Sequence, residues 1–144
     1  MTDKDIKKVA IVDTDTQLCN HIKADFYKHY PDITVDVFSD VKEFFDAHSV
    51  KEYDVLVTSI DVHQVTGAEV ISIGWYVNNH MLPLITVEES KVDNSWEDSD
   101  VVLFKNRLNG SAAKDILDKV LSVAGKDKIE LSILVAATSV CLSA

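Results

Sequence analysis

The residues best placed for chemistry stand where a short apolar stretch gives way to a polar turn. Residues 53–67 read Y-D-V-L-V-T-S-I-D-V-H-Q-V-T-G, and Val55-Leu56-Val57 is typical of a strand buried on both faces. In an open α/β sheet, ligands bind just beyond the carboxyl ends of such strands. Ser59 and Asp61 occupy that point, so their hydroxyl and carboxylate are the first candidates for ligand chemistry.

Several other catalytic and metal-binding patterns are absent from the sequence. The four glycines are scattered between residues 67 and 125 and form no phosphate-binding loop, and no nucleophile elbow occurs. The five histidines show no metal-ligand spacing, and neither do Cys19 and Cys141. Two cysteines without such spacing, in a chain whose start lacks a secretory signal, predict a reducing, cytoplasmic location.

Length and charge restrict the class of protein further. A chain of 144 residues is long enough for one domain with a real core. Its formal net charge of −10 argues against nucleic-acid binding through this domain, because phosphate neutralisation needs Lys and Arg. The apolar stretch near the C-terminus, residues 129–144, is too short and too interrupted to span a bilayer.

The elements that must position Ser59 and Asp61 follow from the hydrophobic pattern. Strands are predicted at residues 8–13, 33–38, 54–60, 82–87 and 101–104. Helices are predicted to begin near residues 16, 40, 67 and 111, each with apolar side chains on one face. This alternation predicts an α/β fold, a doubly wound five-stranded parallel sheet with helices on both faces.

The segment between the last two strands breaks the alternation. Residues 88–100 contain six acids and one lysine, and Val92 and Trp96 are their only apolar residues, which permits one weak helical turn in place of a fourth helix. One interpretation is a solvated loop. The other is an acidic recognition surface for a basic partner, with an aromatic anchor. The residues of that surface would be Glu88, Glu89, Trp96, Glu97 and Asp98.

An apolar extension, residues 126–144, follows the predicted five-stranded domain of residues 1–125. Its first half alternates like a strand, with Ile129, Leu131, Ile133 and Val135 on one side, and its second half is rich in alanine. A strand here could extend a sheet edge in the same chain or in a second copy, giving a homodimer. A helix leading to a further domain is the alternative.

The order of strands, with acids after the first and Lys105 after the fifth, resembles the receiver domains of bacterial two-component response regulators. The resemblance covers residues 7–125 and implies a flavodoxin-like receiver fold. In such receivers, two acids after the first strand and an aspartate after the third hold Mg²⁺, and that aspartate accepts a phosphoryl group. A Thr or Ser after the fourth strand and a Lys after the fifth complete the site.

The acids of this chain depart from the receiver pattern. Asp13 matches the first acid, but Thr14 stands in place of the second. At the third strand, the family spacings from Asp54 and to Gly67 both place Ser59 at the phosphoacceptor position. Serine cannot form an acyl phosphate, and Asp13 alone supplies too little charge for a good Mg²⁺ site.

The remaining receiver positions agree only in part. Lys105 matches the lysine, but Asn106 replaces the proline that usually follows it. Thr86 lies short of the family spacing for the fourth-strand hydroxyl, which points nearer to Glu88. The resemblance therefore implies a degenerate site made of Asp13, Thr14, Ser59, Thr86 and Lys105.

Two functions are compatible with this pattern. The first is a pseudo-receiver, a phosphorylation-independent signalling or scaffolding module that is no enzyme, needs no cofactor and acts through protein partners. The alternative is a phosphoacceptor switch that uses Asp61 with Mg²⁺, since Asp61 lies two residues after Ser59 and an extended backbone would place both side chains on one face.

Overall fold

A computed structural model describes residues 2–46, 52–62 and 65–143 of the chain. Within these ranges a five-stranded sheet is formed by β1 (Lys8–Val12), β2 (Thr34–Phe38), β3 (Val55–Ser59), β6 (Leu82–Val87) and β7 (Val102–Phe104). Its strand order is β2-β1-β3-β6-β7, and all its pairs are parallel. A short antiparallel pair lies outside this sheet, β4 (Asp61–Val62) with β5 (Val65–Thr66). The helices are α1 (Thr16–His29), α2 (Val41–Asp46), α3 (Gly67–Val77), α4 (Ala112–Val123) and α5 (Lys128–Ser143).

The central strands are covered on both faces, as their unbroken apolar sequence predicts. Every residue of β3 is buried, and so are four of the five residues of β1. The edge strand β2 is polar at alternate positions and more exposed. The doubly wound, flavodoxin-like architecture predicted from the sequence is therefore confirmed.

Helices cover the two faces of the sheet in separate groups. The chain moves from β1 outward to β2, then returns across β1 to β3 and continues to β6 and β7, so right-handed crossovers place helices on both faces. Helix α1 packs against α4 on one face, whereas α3 packs against α5 on the other. Asp15 caps α1 by accepting from the backbone N–H of Leu18, and Thr66 caps α3 by accepting from that of Glu69.

The link from β6 to β7 contains two short 3₁₀ helices, Glu89–Lys91 and Asn94–Asp98, where a full crossover helix would otherwise cover the sheet. Helix α5 covers this region instead, because it contacts both β6 and α3. The strand predicted for residues 129–135 is wrong, since these residues belong to α5. Leu131 and Val135 join the main core, whereas Ile129 and Ile133 point to solvent.

Among the described residues, no helix combines the length and apolarity needed to cross a bilayer. His48 and His63, which the sequence analysis counted among the five histidines, lie outside the described residues, as does the side chain of Cys141.

Candidate functional site

Strand ends bring the matched receiver positions together at the carboxyl edge of the sheet. Asp13 directly follows β1, Ser59 is the last residue of β3, and Lys105 directly follows β7. Thr86 lies on β6 in register with Ser59 and is buried. The sequence spacing left the fourth-strand position open between Thr86 and Glu88, and only Thr86 faces the buried side of this edge, because Glu88 is exposed.

The Lys105 ammonium joins two strand ends by direct contacts. Its Nζ lies 3.0 Å from Asp13 Oδ2 and donates a hydrogen bond of 3.0 Å to Ser59 Oγ. Asp13 and Ser59 are each only 3% exposed, and the Lys105 side chain is 16% exposed. A charge-assisted pair this well shielded from water is stronger than a surface ion pair.

The second carboxylate oxygen of Asp13 is also occupied. Asp13 Oδ1 accepts a hydrogen bond of 3.0 Å from the backbone N–H of Asp15, so the carboxylate has partners on both oxygens. The buried Cys19 thiol lies behind it, with Sγ 3.8 Å from the Asp13 carbonyl oxygen. Burial, assisted by the negative charge of Asp13, raises the pKa of Cys19 to about 11. The thiol therefore stays protonated at neutral pH and supplies no nucleophile.

Gly67 packs directly against the backbone of Ser59. A Cβ atom on Gly67 would lie 2.6 Å from the Ser59 carbonyl oxygen, which no side chain tolerates. The backbone N–H of Gly67 donates a 2.7 Å hydrogen bond to the carbonyl oxygen of Ile60. A glycine is thus required at position 67, because its backbone approaches Ser59 closely.

Two other candidate residues are exposed, unlike the buried Asp13 and Ser59. Thr14 is exposed and carries no charge where the receiver pattern has a second acid. Asp61 is exposed as well, at the start of the β4–β5 pair and opposite Thr66. The chain bends at Ile60, so the extended backbone that would align Asp61 with Ser59 is interrupted.

The residues present do not fit a receiver-type Mg²⁺ site. Among the described residues, Asp13 is the one carboxylate that contacts the Lys105 ammonium, and both of its oxygens are engaged. Within the described ranges, no three Asp, Glu, His or Cys side chains converge to hold a metal ion. Mg²⁺ requires several oxygen ligands in near-octahedral arrangement. We therefore derive no chemical step through this ion.

An open groove of about 860 Å³ lies beside the cluster, between α1, the segment after β6 and the turn after β7. Lys105 and Asn106 line it on one side, and Asp15 and His21 line it on another. Glu88 and Glu89 contribute negative charge. The groove is thus a mixed-charge extension of the same carboxyl edge.

The acidic segment, residues 88–100, is tied to the body of the protein by a residue that the sequence analysis missed. Arg107 forms 3.0 Å ion pairs with Glu89 and Glu97, and its guanidinium lies 4.7 Å from the centre of the Phe104 ring. Hydrogen bonds from Arg107 lower the pKa of Glu89. Arg107 is the single arginine of the sequence and lies shortly after the six acids, which is the signal that could have revealed these ion pairs.

Trp96 does not have the predicted role of an exposed anchor. It is only 7% exposed and belongs to the core, beside a small apolar cavity that it shares with Leu134 and Ala137 of α5. The prediction is wrong because α5, which covers this face, could not be placed from the sequence. Glu88, Glu89, Glu97 and Asp98 are exposed, so the acidic part of the predicted surface is accessible.

Comparisons with known proteins identify the fold. A receiver domain of a response regulator from Clostridium thermocellum matches with a TM-score of 0.61 and 17% identity, over 86% of this chain and 98% of that chain. A two-component response regulator from Clostridium difficile matches with a TM-score of 0.58 and 18% identity, over 83% and 99%. A protein described as adenylate cyclase from Rhodopirellula baltica matches with a TM-score of 0.61 and 16% identity, over 96% and 98%.

No protein-family model and no curated protein matches the sequence. Several of the structural matches are nevertheless receiver domains of response regulators. The chain therefore has the receiver fold, a flavodoxin-like doubly wound sheet.

Proposed function

We propose that this chain is a pseudo-receiver, a signalling or scaffolding module that acts by contact with other proteins and takes up no phosphoryl group. The observation that carries the proposal is the contact of Lys105 Nζ with Ser59 Oγ at 3.0 Å. In a working receiver this lysine faces a carboxylate acceptor, whereas here it faces a hydroxyl that cannot form an acyl phosphate.

The surroundings of Ser59 support the same proposal. The hydroxyl is buried, so a protein kinase cannot reach it in the folded chain. The Lys105 ammonium pairs with the Asp13 carboxylate, and the hydroxyls of Thr14 and Ser59 add no negative charge with which Mg²⁺ could be held. The module is thus fixed in one state, and its output is binding.

The test is phosphorylation by a small donor. The intact chain is incubated with acetyl phosphate and Mg²⁺ and its mass is measured; we expect no gain of a base-labile phosphoryl group. The gain-of-function control carries both Thr14→Asp and Ser59→Asp, which place carboxylates at the two positions where the receiver pattern has acids. That variant is expected to take up the group.

A phosphoryl gain by the unaltered chain would overturn the proposal. If that gain disappears in Asp61→Asn, the Asp61 carboxylate is the acceptor and the chain is a switch of the alternative kind. Beryllofluoride with Mg²⁺, which mimics the acyl phosphate, gives an independent measurement through the fluorescence of Trp75 and Trp96. No saturable change is expected in the unaltered chain.

A further inference from the structure

Large apolar side chains are exposed on one side of the molecule. Among the described residues, six large hydrophobic side chains are exposed, and five of them lie on α3 and α5. We call these five the α3–α5 face. Its members, with their exposed fractions, are Ile73 (48%), Tyr76 (95%), Val77 (45%), Ile129 (74%) and Ile133 (65%). The sixth, Tyr27, lies on α1 and is 79% exposed.

The two helices form one continuous surface. Helix α3 packs against α5, and Lys128 fixes the start of α5 to the end of α3. Its Nζ donates a 3.1 Å hydrogen bond to the carbonyl oxygen of Asn79 and lies 4.2 Å from the centre of the Trp75 ring. The exposed residues follow helical spacing on each helix and lie opposite the buried residues of α5, Leu131 and Val135. Both apolar stripes therefore point away from the sheet.

This surface is almost free of charge in a chain that is otherwise strongly acidic. Glu69 is the one charged residue of α3, and Lys128 and Glu130 are the two of α5. The whole chain carries a net charge of −10. The central parts of protein–protein interfaces are depleted in charge in the same way.

We propose that the α3–α5 face binds a second copy of this chain and forms a two-fold symmetric dimer. Two bodies with a charge of −10 repel each other, and the helices of this face contribute only Glu69 and Glu130 as acids to that repulsion. Its five side chains expose on the order of 600 Å² per copy, near the roughly 800 Å² per partner that stable interfaces bury. A self-complementary patch satisfies the requirement of an isologous contact.

The dimer goes beyond the proposed function and does not depend on it, because phosphoryl uptake and self-association are measured separately. Sedimentation equilibrium of the full chain over a range of concentrations is expected to give a mass approaching twice the 16.0 kDa of one chain. Tyr76→Glu and Ile133→Glu each place a carboxylate in the centre of the contact. We expect either change to raise the dissociation constant at least a hundredfold.

Tyr27→Glu is the matched control, because it makes the same kind of change at the one exposed large hydrophobic residue outside the face. It should leave the dimer intact. All three positions are exposed, so the variants should fold, and circular dichroism checks this. A chain that stays monomeric at the highest concentration, or face variants that dimerise as well as Tyr27→Glu, would overturn the proposal; in the first case the face has a different occupant.

Discussion

At the scale of single residues, the arrangement of side chains at the carboxyl edge depends on which groups the Lys105 ammonium contacts. A buried carboxylate needs a compensating cation, and Lys105 supplies it to Asp13 at 3.0 Å. The same ammonium donates to Ser59, so all three side chains hold one another in place. Asp13, Ser59 and Lys105 thus form a structural cluster at the carboxyl edge of the sheet.

Removal of the Lys105 ammonium should destabilise the folded protein. Lys105→Met keeps the apolar stem but leaves the Asp13 carboxylate buried without its partner. We expect a loss of about 3 kcal/mol in the free energy of unfolding, measured by urea denaturation. Lys114→Met is the control, because Lys114 pairs with Asp118 at 2.9 Å on the exposed face of α4 and its loss should cost less than about 0.5 kcal/mol. Equal losses of unfolding free energy in the two variants would show that the buried Lys105–Asp13 pair stabilises the protein no more than an exposed pair does.

The position of the cluster could be predicted from the sequence as far as the ends of the strands could be predicted. Asp13, Ser59 and Lys105 each follow an apolar strand, and the carboxyl ends of parallel strands meet at one edge. The bend at Ile60 was not predictable, because a two-residue shift between Ser59 and Asp61 leaves the apolar pattern unchanged. The hydrogen bond from Gly67 to Ile60 fixes that bend.

At the scale of elements, α5 replaces a missing crossover helix. The link from β6 to β7 is too polar to cover the sheet, and α5 contacts β6 and α3 in its place. The sequence of α5 is compatible with both a helix and a strand. Leu131 and Val135 have helical spacing, and apolar residues also alternate from Ile129 to Val135 as in a strand. A helix satisfies its own backbone hydrogen bonds, whereas a strand needs an edge to pair with, and burial against α3 selects the helix.

The packing of α5 can be tested at neighbouring positions. Leu131→Ala removes a side chain that is 4% exposed and should lower the free energy of unfolding by about 2–4 kcal/mol. Ile129→Ala, two residues earlier on the outer side, should change it by less than about 0.5 kcal/mol. Denaturation is measured at low protein concentration, where self-association does not contribute. A small effect of Leu131→Ala would mean that α5 is only loosely attached.

At the scale of the whole molecule, charge and apolar exposure are arranged on different surfaces. The acidic segment runs from the carboxyl end of β6 to the amino end of β7. Arg107 pairs with Glu89 and Glu97 of this segment, and Lys126 pairs with Asp100 at its end. The α3–α5 face lies on the helices that carry almost no charge. Length, charge and hydrophobic pattern predicted an acidic, single-domain α/β protein, but they could not show this separation, which depends on α5 packing beside α3.

The separation predicts how salt acts on the dimer. Two copies with a charge of −10 repel at long range, and salt shortens the Debye length from about 30 Å at roughly 0.01 M to about 8 Å at roughly 0.15 M. The contact itself contains few charges, so screening removes repulsion and weakens little attraction. The dissociation constant should therefore fall several-fold over this range, as measured by sedimentation equilibrium, in both the unaltered chain and Tyr27→Glu. A rise would mean that pairing of acidic and basic groups holds the copies together, and the apolar face would then not be the contact.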